Sequence, residues 1–155
     1  MKFKSKIFEV GYDWIDYNGH MNVMYYTKVY DEAIDQFLEK KLKIGPDYTK
    51  KRGHGPYAMQ SQYLYLSELL KGQKFFIEIG LIDYDQKKIH LFLEMYDIKK
   101  NRLISTCETL LINVNLQLRK STIYDEEVLK KISSISLDKK DLSPFLGKKI
   151  EIKKR

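Results

Sequence analysis

Asp16-Tyr17-Asn18-Gly19-His20-Met21-Asn22 leads directly into Val23-Met24-Tyr25-Tyr26-Thr27-Lys28-Val29-Tyr30, and the change of pattern at Asn22 decides the fold. Before Asn22 the residues suit a loop that holds unusual backbone angles, with Asp, Asn and Gly close together. After it, Tyr26, Val29, Tyr30, Ala33, Ile34, Phe37 and Leu38 recur at helical spacing and form one apolar stripe. Lys28, Asp31, Glu32, Asp35, Gln36, Glu39 and Lys40 take the other faces. The pattern predicts a helix of about five turns, with Asn22 as its N-cap. Gly45-Pro46 ends it.

Upstream, residues 3–12 predict a first strand, with Phe3, Ile7, Phe8 and Val10 apolar. Downstream, residues 47–56 are polar and rich in Gly and Pro, which predicts a loop. Four strands follow: Tyr57 to Leu66, Lys74 to Tyr84, Lys88 to Ile98, and Arg102 to Leu118. Lys71-Gly72-Gln73, Asp85-Gln86-Lys87 and Lys99-Lys100-Asn101 separate them, and the two short polar gaps imply antiparallel hairpins. A short helix is expected from Asp125 to Ile132. One sheet can bury the stripe of one helix, so the class is α+β: a long central helix wrapped by a five-stranded antiparallel sheet. The far face and edges of that sheet still carry apolar and aromatic residues, which predicts a homodimer or homotetramer.

The 155 residues suit one domain, and 43% hydrophobic with 32% charged residues is a globular composition. Net charge is +7, but the basic residues form no single block; the densest cluster is Lys148-Lys149-Ile150-Glu151-Ile152-Lys153-Lys154-Arg155. It is too short and isolated to argue nucleic-acid binding, so no nucleic-acid partner is expected. No run reaches the ~18 apolar residues of a membrane span, and Glu9, Asp13 and Asp16 interrupt any signal-peptide pattern. A cytoplasmic protein without a membrane partner is the expectation. Cys107 is the single cysteine and lies in an apolar run, as a core residue would.

An acid, a glycine, an imidazole and an amide within seven residues of a helix mouth suggest hydrolysis of a carbonyl compound. The unpaired amides of a first helical turn can receive a developing negative oxygen, and the helix dipole reinforces them. Asp16 is the leading acid, with Asp13 its nearest rival, and His20 and Asn22 flank the entrance. Glu68 stands at a strand end, where a second subunit could approach. Asp31 and Glu32 fall off the apolar stripe, as solvated residues do. His90 alternates with Ile89 and Leu91, as a sheet-face residue or part of a pocket; His54 has the weakest case of the three histidines. His20, His54 and His90 have no metal-ligand spacing, so no metal is expected. No phosphate-binding glycine loop and no G-x-S-x-G elbow occurs.

Asp16-x-x-Gly19-His20-Met21-Asn22-x-x-x-Tyr26, entering a long helix before an antiparallel sheet, resembles the hotdog-fold acyl-CoA thioesterases, nearest the 4-hydroxybenzoyl-CoA thioesterase-like family. Tyr63-Leu64-Tyr65-Leu66-Ser67-Glu68-Leu69 with Gly72, Asp85-Gln86-Lys87-Lys88-Ile89-His90 and Thr106-Cys107-Glu108-Thr109 resemble its betainyl-CoA thioesterase-like branch. That branch tends to carry a His and an Asp where this chain has Asn113 and Asn115, a departure that bears on the acyl group. The resemblance covers about residues 5–133 and implies a hotdog thioesterase domain over residues 1–133; the basic C-terminal tail over 134–155 lies outside the resemblance. It implies Asp16 as general base or nucleophile, assisted by His20 and Asn22, with amides around Asn22 to Met24 as the oxyanion hole. Substrate contacts would come from Gly19, Val23, Tyr26, Glu68 and His90. Coenzyme A would be part of the substrate rather than a cofactor, its phosphates meeting Lys87, Lys88, Arg102 or Arg119. The alternative is a non-catalytic hotdog module that binds an acyl thioester or another small ligand. Nucleic-acid binding through the basic surface and a hotdog dehydratase are lesser options.

Overall fold

The structure is a computed structural model that describes residues 2–138 and 141–152. Helix α1, Val23–Phe37, begins where the sequence predicts: the Asn22 side chain accepts the Met24 amide at 3.0 Å as N-cap. Its stripe of Tyr26, Val29, Tyr30, Ala33, Ile34 and Phe37 is buried. The helix widens into a π-turn over Leu38–Leu42 and stops at Lys43, whose φ is 60°.

The described residues form seven strands, all in one sheet: β1 Phe3–Lys4, β2 Phe8–Glu9, β3 His54–Tyr65, β4 Lys74–Tyr84, β5 Lys88–Asp97, β6 Arg102–Asn115 and β7 Lys120–Ser121. The main path is β1-β4-β5-β6-β3, with β2 also on β4 and β7 on β6, and every ladder is antiparallel. Five strands therefore make the main path, as expected, with two short additions. The single first strand expected over residues 3–12 is instead two short pairings on the β4 edge, at Phe3↔Ile79 and Phe8↔Phe75.

Residues 47–56, expected as loop, contain all but the first residue of helix α2, Pro46–Arg52, and the first residues of β3. Pro46 has the fixed φ suited to a first helical position, and Gly53 closes the helix at φ +70°. Helix α3, Glu126–Ile135, buries Val128 and Ile132 and runs three residues beyond the expected end.

Alternation along the strands separates two faces. Ile77, Ile79, Leu81, Ile89, Leu91, Leu93, Met95 and Cys107 join the α1 stripe in one core. Burial pushes the Cys107 thiol up to about 12, which suits a core residue and not a nucleophile. The opposite face carries Phe76, His90, Phe92, Glu94 and Glu108. Strand β3 ends the path, and its central residues Tyr57 to Ser61 are exposed along an unpaired edge.

Candidate active site

The loop before α1 is a small hairpin held by main-chain bonds. Ile15 and Met21 form an antiparallel bridge, the Asp16 amide donates to His20 O at 3.1 Å, and the Gly19 amide donates to Asp16 O at 3.0 Å. Gly19 takes φ +79°, which its missing Cβ permits. The Asp16 carboxylate accepts the Asn18 amide at 2.8 Å, completing an Asx-type turn. Two more bonds set the hairpin on the fold: Met21 N–H to Leu69 O at 2.8 Å and Asn22 N–H to Trp14 O at 2.8 Å. Trp14 stacks on Tyr25 with ring centres 4.9 Å apart, bracing the helix entrance from outside.

These bonds sort the amides at the helix mouth. Asn22 N–H is used by Trp14, Met24 N–H by the Asn22 side chain, and Tyr25 N–H donates to Asn22 O at 3.0 Å. Val23 N–H is left without a partner among the described hydrogen bonds, at the positive end of the helix dipole. Of the amides from Asn22 to Met24, where the resemblance implies the oxyanion donors, only Val23 N–H has no partner among the described hydrogen bonds.

Beside this amide lies a largely apolar cavity of ≈ 390 Å³, lined by His20, Val23, Tyr26, Tyr65, Leu66 and Glu68 among others. Tyr26 and Tyr65 meet edge to face at 5.1 Å, and Tyr63 stacks behind Tyr65 at 6.4 Å. Burial, with added repulsion from Tyr65 and Glu68, pushes the Tyr26 hydroxyl up to about 12 against the opposing pull of the Leu69 backbone, so the phenol stays neutral. Asp16 does not line this cavity; it sits half-buried on the adjoining turn. The sequence did not single out Tyr65 or Leu66. Its only signal for them was the aromatic-rich run ending at Leu66 and the register that carries that strand past α1.

His90 is not brought into this cavity. It lies on the opposite face of the sheet, where Nε2 is 2.9 Å from Glu108 Oε1. A larger cavity of ≈ 550 Å³ sits there, lined by His90, Glu108, Gln62 and Lys148 among others. None of its lining residues belongs to a helix, so the smaller cavity, beside the positive end of the α1 dipole, is the better seat for chemistry at a carbonyl.

His54 is buried at the start of β3. Its Nδ1 lies 3.0 Å from Asn113 Nδ2, and its Nε2 lies 3.5 Å from Asp125 Oδ1. Asp125 Oδ2 also accepts from Tyr48 Oη at 2.6 Å and Arg52 Nε at 2.8 Å. Hydrogen bonding from Arg52 and Tyr48 outweighs burial and holds the Asp125 carboxyl down at about 2. This cluster ties α2, β3, β6 and the start of α3 together. Spacing gave no sign of it, because its members are far apart in the chain.

Other expected positions are solvent-side. Asp31 is exposed, and Glu32 pairs with Lys6. Lys88 pairs with Asp85 at 3.2 Å, and Arg119 donates to Tyr57 Oη at 3.0 Å. Among the described residues no three His, Cys, Asp or Glu side chains gather as metal ligands would. None of the described helices is long and apolar enough to cross a membrane.

Residues 10–132 match the profile of a family described as the thioesterase-like superfamily. An L-carnitine dehydrogenase/betainyl-CoA thioesterase of Rhizobium meliloti is 30% identical over 124 residues, 79% of this chain and 24% of that protein. A betainyl-CoA thioesterase of Pseudomonas aeruginosa is 25% identical over 126 residues, 80% of this chain and 77% of that protein. The chain thus spans about a quarter of the length of the former relative and most of the latter. Among solved structures, a Staphylococcus aureus protein in complex with CoA aligns with a TM-score of 0.89 at 24% identity, covering 99% of this chain and 96% of that one. The 1,4-dihydroxy-2-naphthoyl-CoA thioesterase of Synechocystis aligns with a TM-score of 0.76 at 12% identity, covering 87% of this chain and 98% of that one. These structural likenesses establish the hotdog fold.

Proposed function

Since the chain belongs to the thioesterase-like superfamily, we propose that it hydrolyses an acyl-CoA thioester to free acid and coenzyme A. The observation that carries this reading is the free Val23 amide at the mouth of α1, with the Asp16 turn on one side and the Tyr26–Tyr65 cavity on the other. In this scheme the acyl group enters the cavity and the thioester oxygen points at Val23 N–H. Asp16 takes a proton from water, the resulting hydroxide adds to the carbonyl carbon, and Val23 N–H stabilises the tetrahedral oxyanion. The C–S bond then breaks and coenzyme A leaves as a thiolate, which requires no strong general acid. Alternatively Asp16 adds to the carbonyl itself, giving a mixed anhydride that water cleaves. Single-turnover hydrolysis in 18O-water identifies the anhydride route when water cleaves the anhydride at the Asp16 carbonyl, since 18O then enters the Asp16 carboxylate, whereas water activated by Asp16 labels the product acid alone.

The cavity also supports a substrate class. The rings of Tyr26 and Tyr65 and the carboxylate of Glu68 suit a small cationic acyl group, since aromatic rings attract quaternary ammonium and Glu68 supplies the opposite charge. The betainyl group in the names of the relatives is of this kind. His20 would orient the thioester from the rim of the cavity.

The exposed edge of β3 supports a homodimer. It is twelve residues long, lies at the end of the main sheet path, and exposes Tyr57 and Met59. A second copy adding its own β3 antiparallel would satisfy that edge. The test of function is free-thiol release across betainyl, short, branched, long and aromatic acyl-CoAs, with Asp16→Asn beside the wild type. Turnover of one class that collapses in the variant is the expected result. Ligand binding with no thiol release from any acyl-CoA would instead favour the non-catalytic binding module.

A further inference from the structure

On the face of the sheet turned away from α1, one rung of the ladder mixes polar and apolar chemistry. Asp83 on β4, His90 on β5, Leu110 on β6 and Gln60 on β3 are opposed in register, and the next rung sets Glu108 opposite Gln62. Glu108 is fully committed: Oε1 lies 2.9 Å from His90 Nε2, and Oε2 accepts Gly147 N–H at 2.7 Å. Gly147 turns the chain with φ +68°, and Gln62 Nε2 donates to Lys148 O just beyond it. These bonds hold Lys148, Lys149 and Ile150 against the sheet, and the ≈ 550 Å³ cavity lies between them and the rung.

That volume suits a small molecule rather than a bare ion. The groups left uncommitted select its charge. Glu108 is the one acid among the described lining residues, and each of its oxygens already has a partner. Lys148 and Lys149 also line the cavity, and neither ammonium has an ion-pair partner among the described residues. His90 Nδ1 and the Gln60 side-chain amide are likewise without a partner among the described hydrogen bonds. The acids Asp83 and Asp85 belong to an adjoining cavity of ≈ 210 Å³ that shares His90, and there Asp85 pairs with Lys88 at 3.2 Å. The unsatisfied charge of the larger cavity is therefore positive. It stands beside an amide, an imidazole nitrogen and the apolar side chain of Leu110. A phosphate group, with several acceptor oxygens and more than one negative charge, matches a pair of ammonium groups.

We propose that this cleft binds a phosphorylated small molecule, its phosphate on Lys148 and Lys149 and its body over Gln60, His90 and Leu110. The site lies on the opposite side of the sheet from the cavity beside Val23. It goes beyond the hydrolytic reading and does not depend on it, because its readouts are heat of binding and histidine resonances rather than turnover.

Inorganic pyrophosphate is the probe, since it carries the phosphate chemistry without a body. Titrated into the full chain in a calorimeter, it should bind saturably with Kd below about 1 mM. Lys148→Glu with Lys149→Glu should weaken binding by at least about tenfold. Lys50→Glu with Lys51→Glu makes the same change of net charge on α2 and should alter Kd by no more than roughly twofold, because distant surface charges are screened. All four lysines are exposed, so both double variants should keep the fold. In NMR spectra the ring resonances of His90, identified by their loss in His90→Gln, should move during the titration while those of His20 stay in place. Absence of saturable binding to the wild type overturns the proposal. So does undiminished binding by the 148/149 variant, or an equal loss in both double variants, which would reduce the effect to bulk charge. His90 resonances that stay still while pyrophosphate binds overturn it as well, because the anion would then sit elsewhere.

Discussion

At position 16 the side chain has two duties that can be separated. Its carboxylate oxygen accepts the Asn18 amide, a bond that the amide oxygen of Asn can equally accept. Asp16→Asn should therefore keep the turn and the thermal midpoint while removing the base or nucleophile. Thiol release from the best acyl-CoA should fall by on the order of 10²–10⁴-fold, and a variant that turns over at the wild-type rate would sink the mechanism. Gly19→Ala tests the frame instead, since φ +79° is unfavourable for alanine by about 1–2 kcal/mol. It should lower the melting temperature and the turnover together. Asp16, Gly19, His20 and Asn22 were legible as a group because they are close in sequence. The special status of Val23 was not, because it depends on Trp14 and Asn22 using up the neighbouring amides.

Elements show the same division. Helix α1 was legible from its stripe and cap, and β4, β5 and β6 from their alternation and polar turns. Helix α2 was missed because two glycines and a proline in residues 47–56 read as loop, although Pro46 at the first position and Gly53 at the end are the start and stop signals of a helix. Asn22→Ala should cost about 1 kcal/mol through the lost cap, measurable as a lower urea midpoint. It should also free Met24 N–H to compete with Val23. The His54–Asp125 cluster gives a pH prediction. Asp125 is held at about 2 in the folded chain against an ordinary value near 3.9. Its contribution is therefore complete above about pH 4 and lost as pH falls through about 2. Asp125→Asn should weaken the chain at pH 7, with the gap to wild type closing toward pH 2; a gap that stays constant from pH 7 to pH 2 would remove Asp125 as its source.

For the whole molecule, the exposed β3 edge is the feature on which the proposed dimer rests. Met59→Lys with Tyr57→Lys should split the proposed dimer, seen as a halved mass by light scattering, with the sheet's circular dichroism unchanged. A mass that stays at the dimer value would place the contact elsewhere. The expectation of exposed apolar surface on the far side of the sheet came from the strand pattern. The cover could not be foreseen, because residues 134–155 alternate Lys, Ser and Asp with isolated apolar residues and carry no period. The placement of the described residues among them rests on long-range contacts such as Leu137 with Gly80 and Gly147 with Glu108. Of the basic cluster expected at the end, Lys148 lies at the end of that segment, and residues 153–155 lie outside the described residues.

The hairpin before α1 is fastened almost wholly by its backbone: Asp16 to His20, Gly19 to Asp16, Met21 to Leu69, and Asn22 to Trp14. Side chains around the cavity can change without loosening any of those ties. A lineage could exchange Tyr65, Leu66 or Glu68 and inherit the Asp16 turn and the Val23 amide intact, so under the proposed scheme specificity could drift while the frame stands still.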